Sequence, residues 1–561
     1  SLINASPLPQ TFPLFRDRSG EYFLPDTISA FGEFGFAIEA VDKRQGSNNI
    51  YQFKHAELIF DGKKRFELLY DKIPFNQGKH ANTIIEYNLK RKNLGEYQKL
   101  YRSEEHPKID IHKMVDKGII VAQPGFHSVE INISDAANNK AVIRGVIAGT
   151  FPMSVSVEEI LRNDMVFTLS ISPKQGGLPI RDAVIYGFTP YGYPNKKIDY
   201  VHSERVRKNL HITLSVDDAE NQILQILAIN QLGGMAEPYH WAPFEPQYSV
   251  IDILPDLDVS ETNRGIFFQL QLDKYVNANA SIKLANNNTF KSFGLNQIQP
   301  NVFLSEMLPH QELVDVKYID AELSFNGLSR ETRFHFRSAV AEPGNETIII
   351  SQDKNCSVQV FPSTLYQTNV IWIEKVKDHA EIDRGFHLSS VYQLQPFNIS
   401  LRNEFNVAIR YDFDLVEHSN LGLYYFNNKK EEWTYLETEN NRKKQILTAS
   451  MTEFDAVTII QDLEPPKILS MHPGNGGGYK ANDVNEIRIL VNDRISGIEP
   501  NEESFSLSIN NQPVFFAYQP IKEEVSYKLE KTLTQGPHQI DFTVFDRLGN
   551  KTSRTVFFSI Y

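Results

Sequence analysis

Apolar and polar residues alternate with period two in short runs along the whole chain, for example at 36–42, 223–229 and 540–545. Such alternation sets one face of an extended strand on a core and the other toward water. Gly, Asn, Asp and Pro bound each run, so the pattern predicts an all-β chain of short strands and tight turns. Helical periodicity is scarce. Its best candidate is 157–162, where at most two turns of helix are expected.

An internal repeat organises these strands. Gly125, His127, Asp135 and Asn139 recur at identical spacing as Gly536, His538, Asp546 and Asn550. Upstream of each copy a strand ends in Asp and a turn, at Asp42 and at Asp493-Arg-Ile-Ser-Gly497. A further strand then closes on Asp61-Gly62 or Asn510-Asn511, both of which are hairpin signatures. Asp and Asn cap such turns by local hydrogen bonds, and Gly or Asn accepts positive φ. The layout reads as an immunoglobulin-like sandwich, with His127 and His538 in structural hydrogen-bonding roles at the strand entries.

A chain of 561 residues exceeds a single core. The punctuation predicts a tandem array of about five immunoglobulin-like or fibronectin-like β-sandwiches. The first, at 25–145, carries a long insertion at about 70–117, and the second lies at 146–253. The third and fourth occupy 254–340 and 341–463. Glu464-Pro465-Pro466 then forms a stiff linker to a C-terminal immunoglobulin-like module at 464–561.

Charge and composition narrow the classes of function. The 37 Phe and 24 Tyr against 7 Met and 3 Trp favour strands over helices. A net charge of −13 without a basic stripe argues against nucleic acid and against an anionic membrane surface. No apolar run approaches the ~18–20 residues of a membrane helix, and the first residues have neither a basic nor an apolar leader segment. The expectation is therefore a mature or trimmed product without a transmembrane segment. Cys356 is the single cysteine, which excludes a disulfide within the chain and fits an exported bacterial protein.

Few residues offer chemistry. His106, Asp110 and His112 would share one face of an extended strand and could hold zinc. No fourth partner is identifiable, and a solvated loop within the insertion is the preferred reading. Cys356 opens a strand and reads as a small buried residue rather than a nucleophile. Asp42, Asp61, Asp135, Asp493 and Asp546 could ligate calcium between modules, with turn capping favoured. Tyr186, Tyr191, Tyr193, Tyr200 and Trp241 could form an aromatic face for sugars or proteins, with core and inter-module packing as the competing reading. No catalytic residue, metal or cofactor is expected, because no nucleophile elbow, P-loop or metallopeptidase motif occurs.

Several of these stretches are together similar to a known arrangement. They are Pro7-Leu-Pro9, the strand ending at Asp42, the strand from Gly125 to Asn139, the hairpin from Gly422 to Trp433, and Asp462 to Pro466 followed by Asp493 to Gly497. They resemble the region C-terminal to the catalytic domain in envelope zinc endopeptidases of the lysostaphin/LytM type from Gram-negative lineages. That family's catalytic domain holds zinc through H-x-x-x-D and a later H-x-H. Only His106 and Asp110 match the first by spacing and no H-x-H occurs, so no catalytic residue carries over. The resemblance implies an exported, non-catalytic scaffold or binding array in the periplasm, on the outer membrane or outside the cell. It would position a peptidase or a larger envelope complex, with other envelope proteins or peptidoglycan as partners. The alternative it leaves open is the accessory region of a peptidoglycan endopeptidase whose zinc site lies outside this chain; a carbohydrate-binding surface protein is weaker.

Overall fold

A computed structural model describes residues 9–24, 26–43, 50–103, 106–113, 116–174, 176–244, 248–262, 265–285, 290–314, 316–376, 385–412 and 420–561. Strands dominate it and divide among many separate sheets, so the chain is all-β. Residues 7 and 8 of the Pro7-Leu-Pro9 motif, position 25 and the turn that follows Asp42 lie outside the described residues. The chain forms two compact units. The larger takes 1–347 with 362–372 and 398–403; the smaller takes 348–361, 373–397 and 404–561.

In the larger unit, the first region is built around Gly125–Ser134, paired along its length with Lys140–Gly149 and on its other edge with His55–Phe60. Lys140–Gly149 continues the sheet to Gly149, past the expected boundary at 145. The hairpin between His55–Phe60 and Lys63–Leu69 turns at Asp61 (φ 49°) and Gly62 (φ 71°), two left-handed residues whose twist matches the flanking strands. The insertion is not the solvated loop that the sequence suggested. Ile84, Leu100, Ile109 and Ile111 are buried in the same core as Phe66 and Leu68, each such side chain contributing about 1.5–3 kcal/mol.

The second region is a sandwich of two four-stranded sheets, one containing Val166–Pro173 and Asn209–Ser215, the other Ile180–Phe188 and Ile223–Asn230. The expected helix at 157–162 is a strand instead, Val155–Arg162, paired with Val166–Pro173. A β-bulge between Glu159 and Leu161 breaks its alternation. Apolar positions therefore fall at 157, 160 and 161, which imitates helical spacing. The third region differs from a two-sheet sandwich: seven antiparallel strands from Pro255–Thr262 to Leu328–His335 form one continuous sheet around a single core.

In the smaller unit, Cys356–Val360, Phe405–Arg410 and Ile446–Met451 form one sheet, while Leu421–Asn427, Glu432–Leu436 and Ala456–Gln461 belong to another. The C-terminal region stacks two sheets, one through Lys467–His472 and Glu486–Asn492, the other through Gly536–Phe545 and Lys551–Ile560. Ile495 of this last region joins Val391, Tyr424, Trp433 and Ile460 in one apolar cluster, so apolar packing spans the Pro465-Pro466 linker.

Candidate functional site

The two copies of the repeat fold into the same device. His127 Nε2 donates to the Gln123 carbonyl at 2.7 Å, and His538 Nε2 donates to the Thr534 carbonyl at 2.7 Å. Asp135 Oδ1 accepts from Ala137 N and Asn139 N, both at 2.8 Å, and its Oδ2 accepts from Asn139 Nδ2 at 2.6 Å. Asp546 repeats this with Leu548 N, Asn550 N and Asn550 Nδ2 at 2.9, 2.8 and 2.7 Å. Gly125 and Gly536 open the strands at φ 132° and 128°.

The aromatic residues of the second region divide. Tyr200 packs against the core and donates its hydroxyl to Asp182 Oδ1 at 2.9 Å, while Trp241 lies edge-on to Phe167 at 5.7 Å. Neither belongs to an open platform. Tyr186, Tyr191 and Tyr193 are exposed, at 38%, 57% and 70% of their surfaces. Tyr191 and Tyr193 occupy the tip of the hairpin joining Ile180–Phe188 to Pro194–Ile198, closed by Thr189 N donating to Tyr193 O at 2.9 Å.

That tip is held from outside its own sheets. Buried Asn301 donates Nδ2 to Tyr191 O at 3.2 Å and to Leu272 O at 3.0 Å, and Tyr275 N donates to Pro190 O at 2.6 Å. Gly192 permits the approach. Its φ of 80° suits glycine, and a Cβ there would stand 1.9 Å from Asn301 Oδ1. Two broad aromatic faces are thus presented to solvent on a backbone already ordered by the third region.

His106, Asp110 and His112 are not brought together as ligands. Asp110 is exposed, accepting from Gln77 Nε2 at 3.2 Å, and its amide donates to Gln77 Oε1 at 2.9 Å. His112 is buried, and its Nδ1 accepts from Ile109 N at 3.3 Å. Burial pushes the His106 imidazole down to about 3 and that of His112 to about 4, so both stay neutral. His106 lies edge-on to Tyr366 at 5.6 Å, lining a cavity of about 120 Å³ together with Lys99, Glu86 and Glu261.

Two groups of three do converge among the described residues. His55, Glu57 and Glu67 already hold Lys64, whose Nζ stands 2.6 Å from Glu57 Oε1 and 3.0 Å from Glu67 Oε2. The other group is Asp462, Asp493 and Asp546, each contributing an oxygen within 4.8 Å of the others. Burial raises all three carboxyls; Asp462 adds to the rise of the other two and Asp546 to that of Asp493, which is pushed up to about 6. Sequence reading picked out Asp493 and Asp546 by their turns but missed Asp462. Its signal was its place at the last strand end before the Pro-rich linker. Asp42, Asp61 and Asp135 form no such group among the described residues.

No family model matches the chain and no curated protein is similar to it. Among solved structures it is similar to CopC from Methylosinus trichosporium OB3b, at 18% identity over 17% of this chain and 92% of that one, with a TM-score of 0.15.

Proposed function

We propose that this chain is a non-catalytic binding array of the cell envelope of a Gram-negative bacterium, whose β-modules hold an envelope protein or peptidoglycan in place. The observation that carries the reading is the anchored hairpin tip bearing Tyr191 and Tyr193. Aromatic side chains displayed with little conformational freedom lose little entropy on binding and offer large apolar faces to a sugar ring or a protein surface. The Pro465-Pro466 linker, with apolar packing across it, suits fixed positioning of the last module.

The test is co-sedimentation of the purified chain with isolated peptidoglycan, alongside capture of envelope proteins from a solubilised envelope fraction. Binding to either that falls at least about tenfold when Tyr191 and Tyr193 become Ala, with the unfolding transition unchanged, supports the reading; tenfold corresponds to about 1.4 kcal/mol. Binding that the double variant leaves intact removes the tip from it. Absence of binding to both preparations overturns it.

A second reading is favoured by the equivalence of the two motif copies, since those motifs carry the resemblance to envelope endopeptidases. In it the chain is the accessory region of a zinc peptidoglycan endopeptidase whose catalytic domain lies elsewhere. Intact mass and N-terminal sequencing of the native protein decide between the two. An upstream domain with H-x-x-x-D and H-x-H favours the second reading, and a native terminus at a signal-peptidase site just before Ser1 overturns it.

A further inference from the structure

We propose that Asp462, Asp493 and Asp546, together with the Tyr424 hydroxyl beside them, form a site for one hard divalent cation, calcium, at the junction of the fourth and fifth regions. The inference is independent of the tyrosine hairpin and of any partner the array binds.

Three strand ends supply the carboxylates. Asp462 follows Ala456–Gln461, Asp493 follows Glu486–Asn492 and Asp546 follows Gly536–Phe545. Asp462 and Asp546 are 0% and 5% exposed. Among the described residues no Lys, Arg or His stands within ion-pair distance of any of the three. Two cations adjoin the cluster in sequence: Arg547 is engaged by Glu499 Oε2 at 2.6 Å, and Arg494 is exposed. The cluster thus differs from His55, Glu57 and Glu67, where Lys64 supplies the countercharge.

Tyr424 gives the second, independent sign. It is fully buried, and its hydroxyl has no hydrogen-bond partner among the described residues. Burial first, then Asp462, Tyr435, Asp493 and Asp546, raise its ionisation, so the field of all three carboxylates reaches the hydroxyl. A buried hydroxyl left unpaired is costly, and a coordinated cation or its bound water would complete it.

The repeat contains its own control. Asp135 makes the same turn bonds as Asp546, and there the Asn139 hydrogen bond leads the carboxyl below its ordinary value. Asp546 is shifted the other way by burial, with Asp462 adding to the rise. Turn capping therefore accounts for Asp135 in full but leaves a cluster of buried like charges around Asp546.

Donor chemistry selects the ion. All the groups are oxygens, which suits a hard cation over zinc or copper. Two oxygens on opposite sides of one calcium stand at most about 4.8 Å apart, from ligand distances near 2.4 Å, and the three carboxylate oxygens all lie within 4.8 Å of one another. A cation there would tie the strand end before the linker to two turns after it. Hydrogen bonds already do so, Asn550 Nδ2 donating to Asp462 O at 3.0 Å and Ser496 Oγ to Asp462 Oδ2 at 2.7 Å.

The experiment is calorimetric titration of the full, chelator-stripped chain with CaCl2. One equivalent should bind with a dissociation constant on the order of 0.1–1 mM, as in weaker protein calcium sites. Asp493→Asn should weaken binding at least about tenfold, and Asp135→Asn should leave it unchanged. If Asp493→Asn fails to fold, Tb3+ serves in its place. Its emission on tyrosine excitation should be displaced by Ca2+ and should fall in Tyr424→Phe. No binding up to about 10 mM Ca2+, binding indifferent to Asp493→Asn, Tb3+ emission indifferent to Tyr424→Phe, or preference for Zn2+ over Ca2+ would overturn the assignment.

Discussion

His127 Nδ1 and Asp61 Oδ2 stand 2.7 Å apart, and since Nε2 already donates to a backbone carbonyl, both ring nitrogens carry protons. In the second copy of the repeat the same ring nitrogen faces the Asn510 amide, 2.9 Å from Nδ2, and accepts from it. One position in two equivalent modules thus donates to a carboxylate in the first and accepts from an amide in the last. The choice rests on a single atom of the hairpin residue, carboxylate oxygen against amide nitrogen.

The first prediction concerns pH. The bond to Asp61 raises the His127 pKa, and the bond to His127 lowers that of Asp61. For His127 the added stability is complete below the ordinary imidazole value and is lost as pH rises through the raised one. For Asp61 it is complete above the ordinary carboxyl value and is lost as pH falls through the depressed one. The pair therefore stabilises the first module between these limits, by about 0.5 kcal/mol, since Asp61 is half-exposed and screened. Asp61→Asn, which copies Asn510, should flatten this dependence in urea unfolding followed from pH 5 to 9. An unchanged profile in the variant would refute the charged pair.

How far the sequence foretold these features depends on how local each one is. The turn chemistry of Asp61-Gly62, Asn510-Asn511, Asp135 and Asp546 is carried within a few residues, and the positive φ values and turn bonds stand where the motifs lie. The strand Val155–Arg162 imitated a helix because its bulge displaced one apolar residue. The insertion read as solvated because its buried residues, Ile84, Leu100 and Ile109, are too widely spaced to show a period. The acidic cluster was less legible still. It draws on chain positions 462, 493 and 546, and its hydroxyl comes from Tyr424 on a different strand.

A second prediction follows from Glu261, whose side chain is fully buried in the larger unit. It accepts from Asn369 Nδ2 at 2.8 Å and from Val370 N at 2.8 and 3.0 Å, with His310 Nε2 3.2 Å away. Glu261→Ala would leave these donors buried without an acceptor and should cost about 3–5 kcal/mol, measured by urea unfolding. Glu261→Gln retains one carbonyl oxygen and should cost less. A loss under about 1 kcal/mol for Ala would mean that water replaces the carboxylate.

Cys356 supports a third. It is 1% exposed, opens the strand Cys356–Val360 opposite Ile409, and burial pushes its thiol well above the ordinary range. The native chain should not react with a disulfide reagent at pH 8, and should release one equivalent of chromophore on unfolding in guanidinium. Rapid reaction of the folded protein would show that this part of the sheet opens readily.

The last prediction separates the rigidity of the hairpin tip from its contact surface. Gly192→Ala leaves Tyr191 and Tyr193 in place, but it puts a methyl group 1.9 Å from Asn301 Oδ1 at a residue with φ 80°. Asn301 is buried and holds both Tyr191 O and Leu272 O, so it cannot move away without losing those bonds. The substitution should cost about 1–3 kcal/mol from strain and overpacking. It should also release the tip, seen as faster cleavage after Tyr191 by chymotrypsin under native conditions, the bond after Tyr193 being protected by Pro194. If binding depends on preorganisation, affinity should fall with both tyrosines intact. If affinity holds while cleavage quickens, the tyrosines act as independent contacts and the anchor at Asn301 serves stability alone.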